Sequence, residues 1–325
     1  MPLGEFDVID RYFSRSSTRR DVLLGVGDDA ALLIPPAGQA LVAATDTLVE
    51  GRHFLPDVDP ESLGHKTLAV NLSDLAAMGA KPRWALLGGA LPDADERWLA
   101  AFTRGMFALA DRFDVALIGG DTTRGPRNLC VTIIGELPAG CAITRAGARP
   151  GDDVYVSGTL GDAMLVLAAL QGRTVLDEAT LAALRARLER PEPRVALGQR
   201  LRGVATAALD VSDGLVGDLG HILERSRVGA QIDVASIPRV PALDERLGGR
   251  ERELALSCLL AGGDDYELCF AAGAAARDAL RAIARDTGVP LTRIGTITAQ
   301  TGLRVVDENG NAMAAVPGAF DHFRQ

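Results

Sequence analysis

The apolar run Val115-Ala116-Leu117-Ile118 ends in Gly119-Gly120-Asp121-Thr122-Thr123, and this junction constrains the fold more than any other stretch. A strand running into two glycines lets backbone approach a ligand closely, and the acid that follows can hold a hard cation. Related acidic segments recur as Gly27-Asp28-Asp29, Thr45-Asp46-Thr47, Asn71-Leu72-Ser73-Asp74, Asp210-Val211-Ser212-Asp213-Gly214 and Gly262-Gly263-Asp264-Asp265. Taken singly, Asp121 and Asp46 read equally well as turn acids at strand ends. Asp74 lies among Leu72, Leu75, Ala76 and Met78 of a helix, where an acid needs a partner or a solvated face. Asp28 and Asp29 repel each other unless cations or solvent separate them. Ser212 or Asp213 would N-cap a helix starting at Gly214, and the free amides of that helix start would suit a phosphate. Together the segments predict converging acidic turns that hold Mg²⁺, a cation that takes oxygen ligands and bridges a few carboxylates to substrate phosphates.

Bulk properties narrow the partners. The 325 residues suggest two domains, and 47% hydrophobic content supplies real cores. The balance of 34 basic against 43 acidic residues, net −9, argues against nucleic acid as the partner. Cys130, Cys141, Cys258 and Cys269 form no CxxC pair and the four histidines are scattered, which argues against zinc. No Arg/Lys-led apolar leader opens the sequence, and no run approaches the roughly 20 apolar residues of a membrane span. The expectation is a cytoplasmic protein with reduced, buried cysteines and no membrane partner.

Along the chain, helical spacing is read at 3–14, from Pro60 to Gly79, from Asp93 to Phe113, and later at 162–170, 178–188, 195–201, 215–226, 251–260 and 274–286. Strands are read at 22–26, 30–34, 41–44, 84–90, 115–118, 129–137, 154–156, 205–209, 266–270, 291–297 and 303–306. The stretch from Pro138 to Pro150 is rich in Gly, Ala, Arg and Pro and has no period. It sets the expected boundary, with an N-terminal domain at 1–138 and a C-terminal domain at 150–325. Irregular mixing of helices and strands predicts two α+β domains, not one doubly wound sheet. His53, seven residues after Asp46, and Arg145 in the boundary segment each read equally as surface residues. Phe320 and Phe323 read as a docked tail or an aromatic wall for a flat ligand. No G-x-x-x-x-G-K-[ST] loop, protein-kinase motif set or GxGxxG with a distal acid occurs. A nucleotide would therefore be held by acids and metals, without a phosphate-cradling lysine.

Seven motifs in this order resemble thiamine-monophosphate kinases, of the superfamily that includes aminoimidazole ribonucleotide synthetase and selenophosphate synthetase. They are Gly25-Val26-Gly27-Asp28-Asp29, Thr45 to Phe54 (TDTLVEGRHF), Ala69 to Gly79 (AVNLSDLAAMG), Ile118 to Gly125 (IGGDTTRG), Asp210 to Leu215 (DVSDGL), Gly262 to Leu268 (GGDDYEL) and Phe320-Asp321-His322-Phe323, preceded by Gly4-Glu5-Phe6. The resemblance spans nearly the whole chain. It implies the two-domain fold of the aminoimidazole ribonucleotide synthetase type, with mixed sheets flanked by helices in each domain. It also implies ATP-dependent phosphorylation of thiamine monophosphate to thiamine diphosphate by direct in-line transfer, with several Mg²⁺ ions and a homodimer formed through the N-terminal domains. By position, the resemblance makes Asp29, Thr45, Asp46, Asp74, Asp121, Asp210 and Asp213 the metal set, with Asp46, Asp121 and Asp213 central to catalysis. Gly120, Asp121, Arg145 and Ser212 match ATP-contacting positions; His53, Asp264 and Phe320 match positions around thiamine monophosphate. Ala44 stands where relatives often carry serine, and Asp264 where glutamate is usual, one methylene longer. The alternatives are a sister ATP-dependent enzyme of the superfamily and a non-catalytic nucleotide binder. The first cysteine being Cys130, and the chain ending Phe-Arg-Gln, disfavour the selenophosphate and hydrogenase-maturation sisters.

Overall fold

The computed structural model describes residues 4–15, 19–307, 309–314 and 316–318. Contacts divide the chain into two units, one of residues 1–75 and 80–140, the other of residues 76–79 and 141–325. The elements of the N-terminal part are α1 (Glu5–Val8), β1 (Val22–Leu24), β2 (Leu32–Leu33), β3 (Gln39–Val49), α2 (Pro60–Ala77), β4 (Lys81–Leu91), α3 (Glu96–Arg112), β5 (Ala116–Arg124) and β6 (Asn128–Pro138). Those of the C-terminal part are β7 (Asp153–Ser157), α4 (Asp162–Leu170), α5 (Glu178–Glu189), α6 (Val195–Leu201), β8 (Ala205–Val211), α7 (Leu215–Ser226), β9 (Gly229–Asp233), α8 (Pro241–Leu247), α9 (Arg252–Ala261), β10 (Glu267–Ala272), α10 (Arg277–Thr287), β11 (Leu291–Thr298) and β12 (Gly302–Val306).

The first unit carries a four-stranded sheet in the order β3-β6-β4-β5, in which only β4–β5 is parallel. Strand alternation sorts its residues. Val42 and Leu48 of β3, with Leu129, Val131 and Ile133 of β6, are buried on one face. Asn71 of α2 reaches that face, its Oδ1 accepting the Asp46 N–H at 3.1 Å. Helices α2 and α3 touch backbone to backbone: a Cβ on Gly64 would lie 1.9 Å from the Phe102 carbonyl oxygen, and one on Gly105 would lie 1.8 Å from that of Glu61. Asp95 starts α3 by accepting the Arg97 N–H at 2.8 Å, and Leu99, Phe102, Met106 and Leu109 form its buried stripe.

The second unit carries a six-stranded sheet, β12-β9-β11-β7-β10-β8, antiparallel except for β12–β9. Strands β7 and β10 are buried along their whole length, as expected of central strands. The fold is thus α+β, with mixed sheets flanked by helices. Among the described residues, no helix is long and apolar enough to cross a membrane. Cys258 and Cys269 are buried, and burial raises the Cys258 thiol pKa to about 12; Cys141, against expectation, is exposed.

Two strand extents differ from the sequence reading. Asp46 and Asp121 lie inside β3 and β5, not in turns beyond them. Gly119-Gly120 reads as a break but serves close packing. Gly120 has φ +153°, and a Cβ there would sit 1.9 Å from the Leu87 carbonyl oxygen on β4, next to the bulge between Ala85 and Leu86. Asp21, before β1, binds Arg19 at 2.7 Å and Arg83 at 2.6 Å. Hydrogen bonding to Arg19, with further help from Arg83, lowers its pKa to about 2.

Two outcomes follow for stability. Gly120→Ala should cost about 3 kcal/mol or more, because backbone must move, and should show as a lower denaturation midpoint. Asp21→Asn should cost about 1–2 kcal/mol at neutral pH. The Asp21 contribution is present above the unfolded carboxylate pKa and disappears as pH falls from about 4 through about 2, so wild-type and variant denaturation curves should converge there.

Candidate active site

Register places a set of small and polar side chains on the face of the first sheet opposite Val42 and Leu48. Thr45 pairs with Thr132, Thr132 with Leu86 and Leu86 with Gly119 in one row; Thr47, Cys130, Gly88 and Asp121 form the next. Thr45 Oγ1 lies 3.0 Å from Thr132 Oγ1 and donates to the Val131 carbonyl at 3.0 Å. Gly88, Gly119, Asp121, Cys130 and Thr132 of this face help line a cavity of about 880 Å³, together with Asp28, Asp29 and Phe6. Asp29 and Asp121, far apart in sequence, therefore border one cavity, which Gly120 and Thr122 also line. Thr45 and Asp46 are neighbours on β3 and point to opposite faces. The Asp46 face carries Asn71 of α2, and Asp74 lies one turn further along that helix. The two side chains therefore approach a ligand from opposite sides of β3.

In the second unit, β8 ends in Asp210-Val211, and Ser212-Asp213-Gly214 turn into α7. The helix start differs from expectation. Gly214 is the N-cap, with no side-chain cap bond. The amides of Ser212, Asp213 and Gly214 instead donate to Asp218 Oδ2 at 3.1, 3.1 and 3.0 Å. They are therefore not free for a phosphate. Asp218 is buried; burial first, then Asp210 and Asp213, raise its pKa to about 7.

The Gly262–Tyr266 segment packs on this turn. A Cβ on Gly263 would lie 2.2 Å from the Ser212 carbonyl oxygen, and one on Gly214 would lie 2.6 Å from the Ala261 carbonyl carbon. The Asp264 N–H donates to the Ser212 carbonyl and the Tyr266 N–H to that of Val211, each at 2.9 Å. Asp264 and Tyr266 hold φ of +67° and +49°, rare for side-chain-bearing residues. Tyr266 Oη donates to Asp264 Oδ1 at 3.1 Å. Asp210, Asp213 and Asp264 are thereby carried by two interlocked turns.

The remaining predicted residues are scattered. His53 sits in the turn after β3, its Nδ1 accepting the Val49 N–H at 3.0 Å, so the ring proton is on Nε2. Lys66, buried on α2, donates to the His53 carbonyl at 3.2 Å. Arg145 is exposed, and its carbonyl accepts from Ser226 Oγ at 3.2 Å. Phe320 lies outside the described residues. Among the described residues, no three Asp, Glu, His or Cys side chains are placed to hold an ion between them. Sequence reasoning missed Asp218, although it interrupts the buried stripe Leu215, Leu219 and Ile222 of α7, an available signal.

The comparisons agree with one another. The family model described as AIR synthase related protein, N-terminal domain, matches residues 27–137, and its C-terminal counterpart matches residues 149–308. The thiamine-monophosphate kinase of Escherichia coli K12 is 49% identical over 325 residues, covering 99% of each chain. A solved thiamine-monophosphate kinase from Stenotrophomonas maltophilia superposes with a TM-score of 0.86 at 53% identity, over 96% of this chain and 99% of that one. AaThiL complexed with AMPPCP and TMP superposes at 0.75 with 30% identity, over 98% and 97%. Two matched domains and near-complete identity coverage lead to one conclusion: the chain belongs to the thiamine-monophosphate kinase family, built on the AIR synthase related fold.

Proposed function

We propose that this protein transfers the γ-phosphoryl group of ATP to thiamine monophosphate, giving thiamine diphosphate. The observation that carries the reading is the full-length relation to thiamine-monophosphate kinases, one of which was solved with AMPPCP and TMP. A terminal phosphate oxygen of the acceptor attacks the γ-phosphorus in line, and ADP leaves. A phosphate monoester is already largely ionised at neutral pH, its second pKa being about 6, so no strong general base is needed. Positioning and charge neutralisation then dominate.

The donor chemistry around the cavity fits magnesium. Asp29 and Asp121 offer it carboxylates and Thr132 a hydroxyl, with the Thr45 hydroxyl 3.0 Å behind that of Thr132. Mg²⁺ commonly uses one or two carboxylates and completes its shell with phosphates and water. Mg²⁺ would supply charge neutralisation of the polyphosphate. The proposed ligands are Asp29, Thr45, Asp46, Asp74 and Asp121 in one unit and Asp210 and Asp213 in the other, with the Thr45 and Asp46 side chains approaching from opposite sides of β3. Gly120, Asp121, Arg145 and Ser212 are proposed to contact ATP. The Nε2–H of His53 suits a phosphate oxygen of the acceptor, and Asp264 and Phe320 are proposed to meet the thiamine moiety.

The homodimer is proposed on the same relation. β3 is an edge strand of eleven residues, and Leu41 on it is 53% exposed; Leu32 of β2 is 55% exposed. Unpaired edges with apolar neighbours favour association.

Incubation with ATP, Mg²⁺ and thiamine monophosphate should give thiamine diphosphate, and free thiamine should give no product. Nucleotide binding without turnover would instead support the binder reading. Asp121→Asn should lower kcat at least a hundredfold while leaving the thermal midpoint within a few degrees; near-normal turnover would remove Asp121 from the metal set.

A further inference from the structure

Behind the Gly262–Tyr266 turn, the second unit encloses a cluster of charges that the reaction does not use. Glu267 of β10 is fully buried. Its carboxylate accepts from Ser157 Oγ at 2.6 Å, Arg194 Nε at 2.7 Å and Arg187 Nη2 at 3.0 Å. Asp162, 1% exposed at the start of α4, accepts from Arg187 Nε at 3.3 Å and from Thr159 Oγ1. Asp265, 3% exposed, has one hydrogen bond among the described residues, from the Gly161 N–H to Oδ2 at 2.7 Å. Its Oδ1, and Oδ1 of Asp162, are buried without a partner.

Counting charges gives three carboxyls against two guanidiniums. A buried excess anion is strongly unfavourable, so the cluster should hold one proton. Burial raises the Asp162 pKa as well, but Glu267 and Asp162 each hydrogen-bond an arginine while Asp265 hydrogen-bonds only a neutral amide, so the proton belongs on Asp265. The groups facing Asp265 are Asp162 from α4, Arg187 from α5, Glu267 from β10 and the thiol of Cys258 from α9. Burial, followed by Asp162, pushes the Asp265 pKa well above the ordinary carboxylate range.

We propose that Asp265 is a positioning residue that acts as a neutral carboxylic acid, tying the Asp264–Tyr266 turn to the Gly161 amide so that Asp264 is presented to the substrate. The turn needs such a tie. Residues on both sides of Asp265 hold positive φ, a conformation that persists only when surroundings enforce it. The donor is equally fixed, since Gly161 has φ +80° and a Cβ there would sit 2.9 Å from the Cys258 backbone. The role rests on the reading above that Asp264 meets thiamine monophosphate.

Asparagine copies a neutral acid: its oxygen accepts from Gly161, and its amide takes the place of the protonated oxygen. The test compares steady-state kinetics of wild type, Asp265→Asn and Asp265→Ala. Asp265→Asn should keep KM for thiamine monophosphate within about twofold, and Asp265→Ala should raise it about tenfold or more with a smaller change in kcat. Equal losses in both variants would show that the charge is needed, and no loss in Asp265→Ala would show that the tie is not; either overturns the proposal.

Denaturant unfolding against pH covers the case in which Asp265→Ala does not fold. A group with a raised folded pKa contributes stability that is fully present below its unfolded pKa and lost as pH rises towards the folded value. As pH rises above the ordinary carboxylate range, the wild-type folding constant should therefore fall relative to Asp265→Asn, by up to tenfold per pH unit. Parallel curves would mean an ionised Asp265 and would also overturn the proposal. Asp264→Ala separates the two readings: an unchanged KM there removes the substrate contact, while the pH comparison still judges Asp265.

Discussion

Amide groups in sharp turns must find acceptors once packing takes them out of water, and this constraint governs the second unit. Buried aspartates meet it repeatedly. Asp218 gathers three consecutive amides on one oxygen, Asp265 takes that of Gly161, and Asp152 takes that of Arg149 at 3.0 Å. An aspartate used in this way has oxygens committed to its own backbone. The acids that remain for a ligand are those that turns and strand faces leave open, such as Asp121. One residue type thus has two separable roles, and what its oxygens bond decides which.

That sorting explains what the sequence disclosed and what it hid. Helices α4, α6 and α7 were legible residue for residue, because apolar stripes run between glycine and proline stops. β9 was missed because Gly-Ala-Gln-Ile-Asp lacks a run of β-branched residues, and α8 because it buries only Leu243 and Leu247. The strands of the first sheet read too short. Their residues on the Thr45 face are mostly small or polar, so Thr45, Thr47 and Gly119 looked like turns. In the site, the acids were legible by type and spacing. Which of them bind backbone was not, since that depends on acceptors supplied by distant turns.

Close approach is the second device that holds the arrangement. Gly120 against Leu87, Gly263 against Ser212 and Gly214 against Ala261 each bring main chain to distances that a Cβ would forbid. A diglycine before an acid therefore has two causes that a single sequence cannot separate. One is access for a ligand, the other is contact between neighbouring backbones. At Gly120 both operate, because the residue also borders the cavity beside Asp121.

The distribution of positive charge completes the argument. Arginines dominate the basic residues, and several are spent on buried or half-buried acids: Arg19 and Arg83 on Asp21, Arg187 and Arg194 on Glu267, Arg277 and Arg293 on Asp153. Of the two lysines, Lys66 is buried against the His53 carbonyl and Lys81 is exposed at the start of β4. Under the proposed function, polyphosphate brought beside Asp29 and Asp121 would meet carboxylates and hydroxyls, not a lysine cradle. Such a surface repels an anion unless a divalent cation stands between them. The acids lining the cavity and the committed arginines thus favour the same arrangement, in which metal ions carry the positive charge and the protein supplies the oxygens that place them.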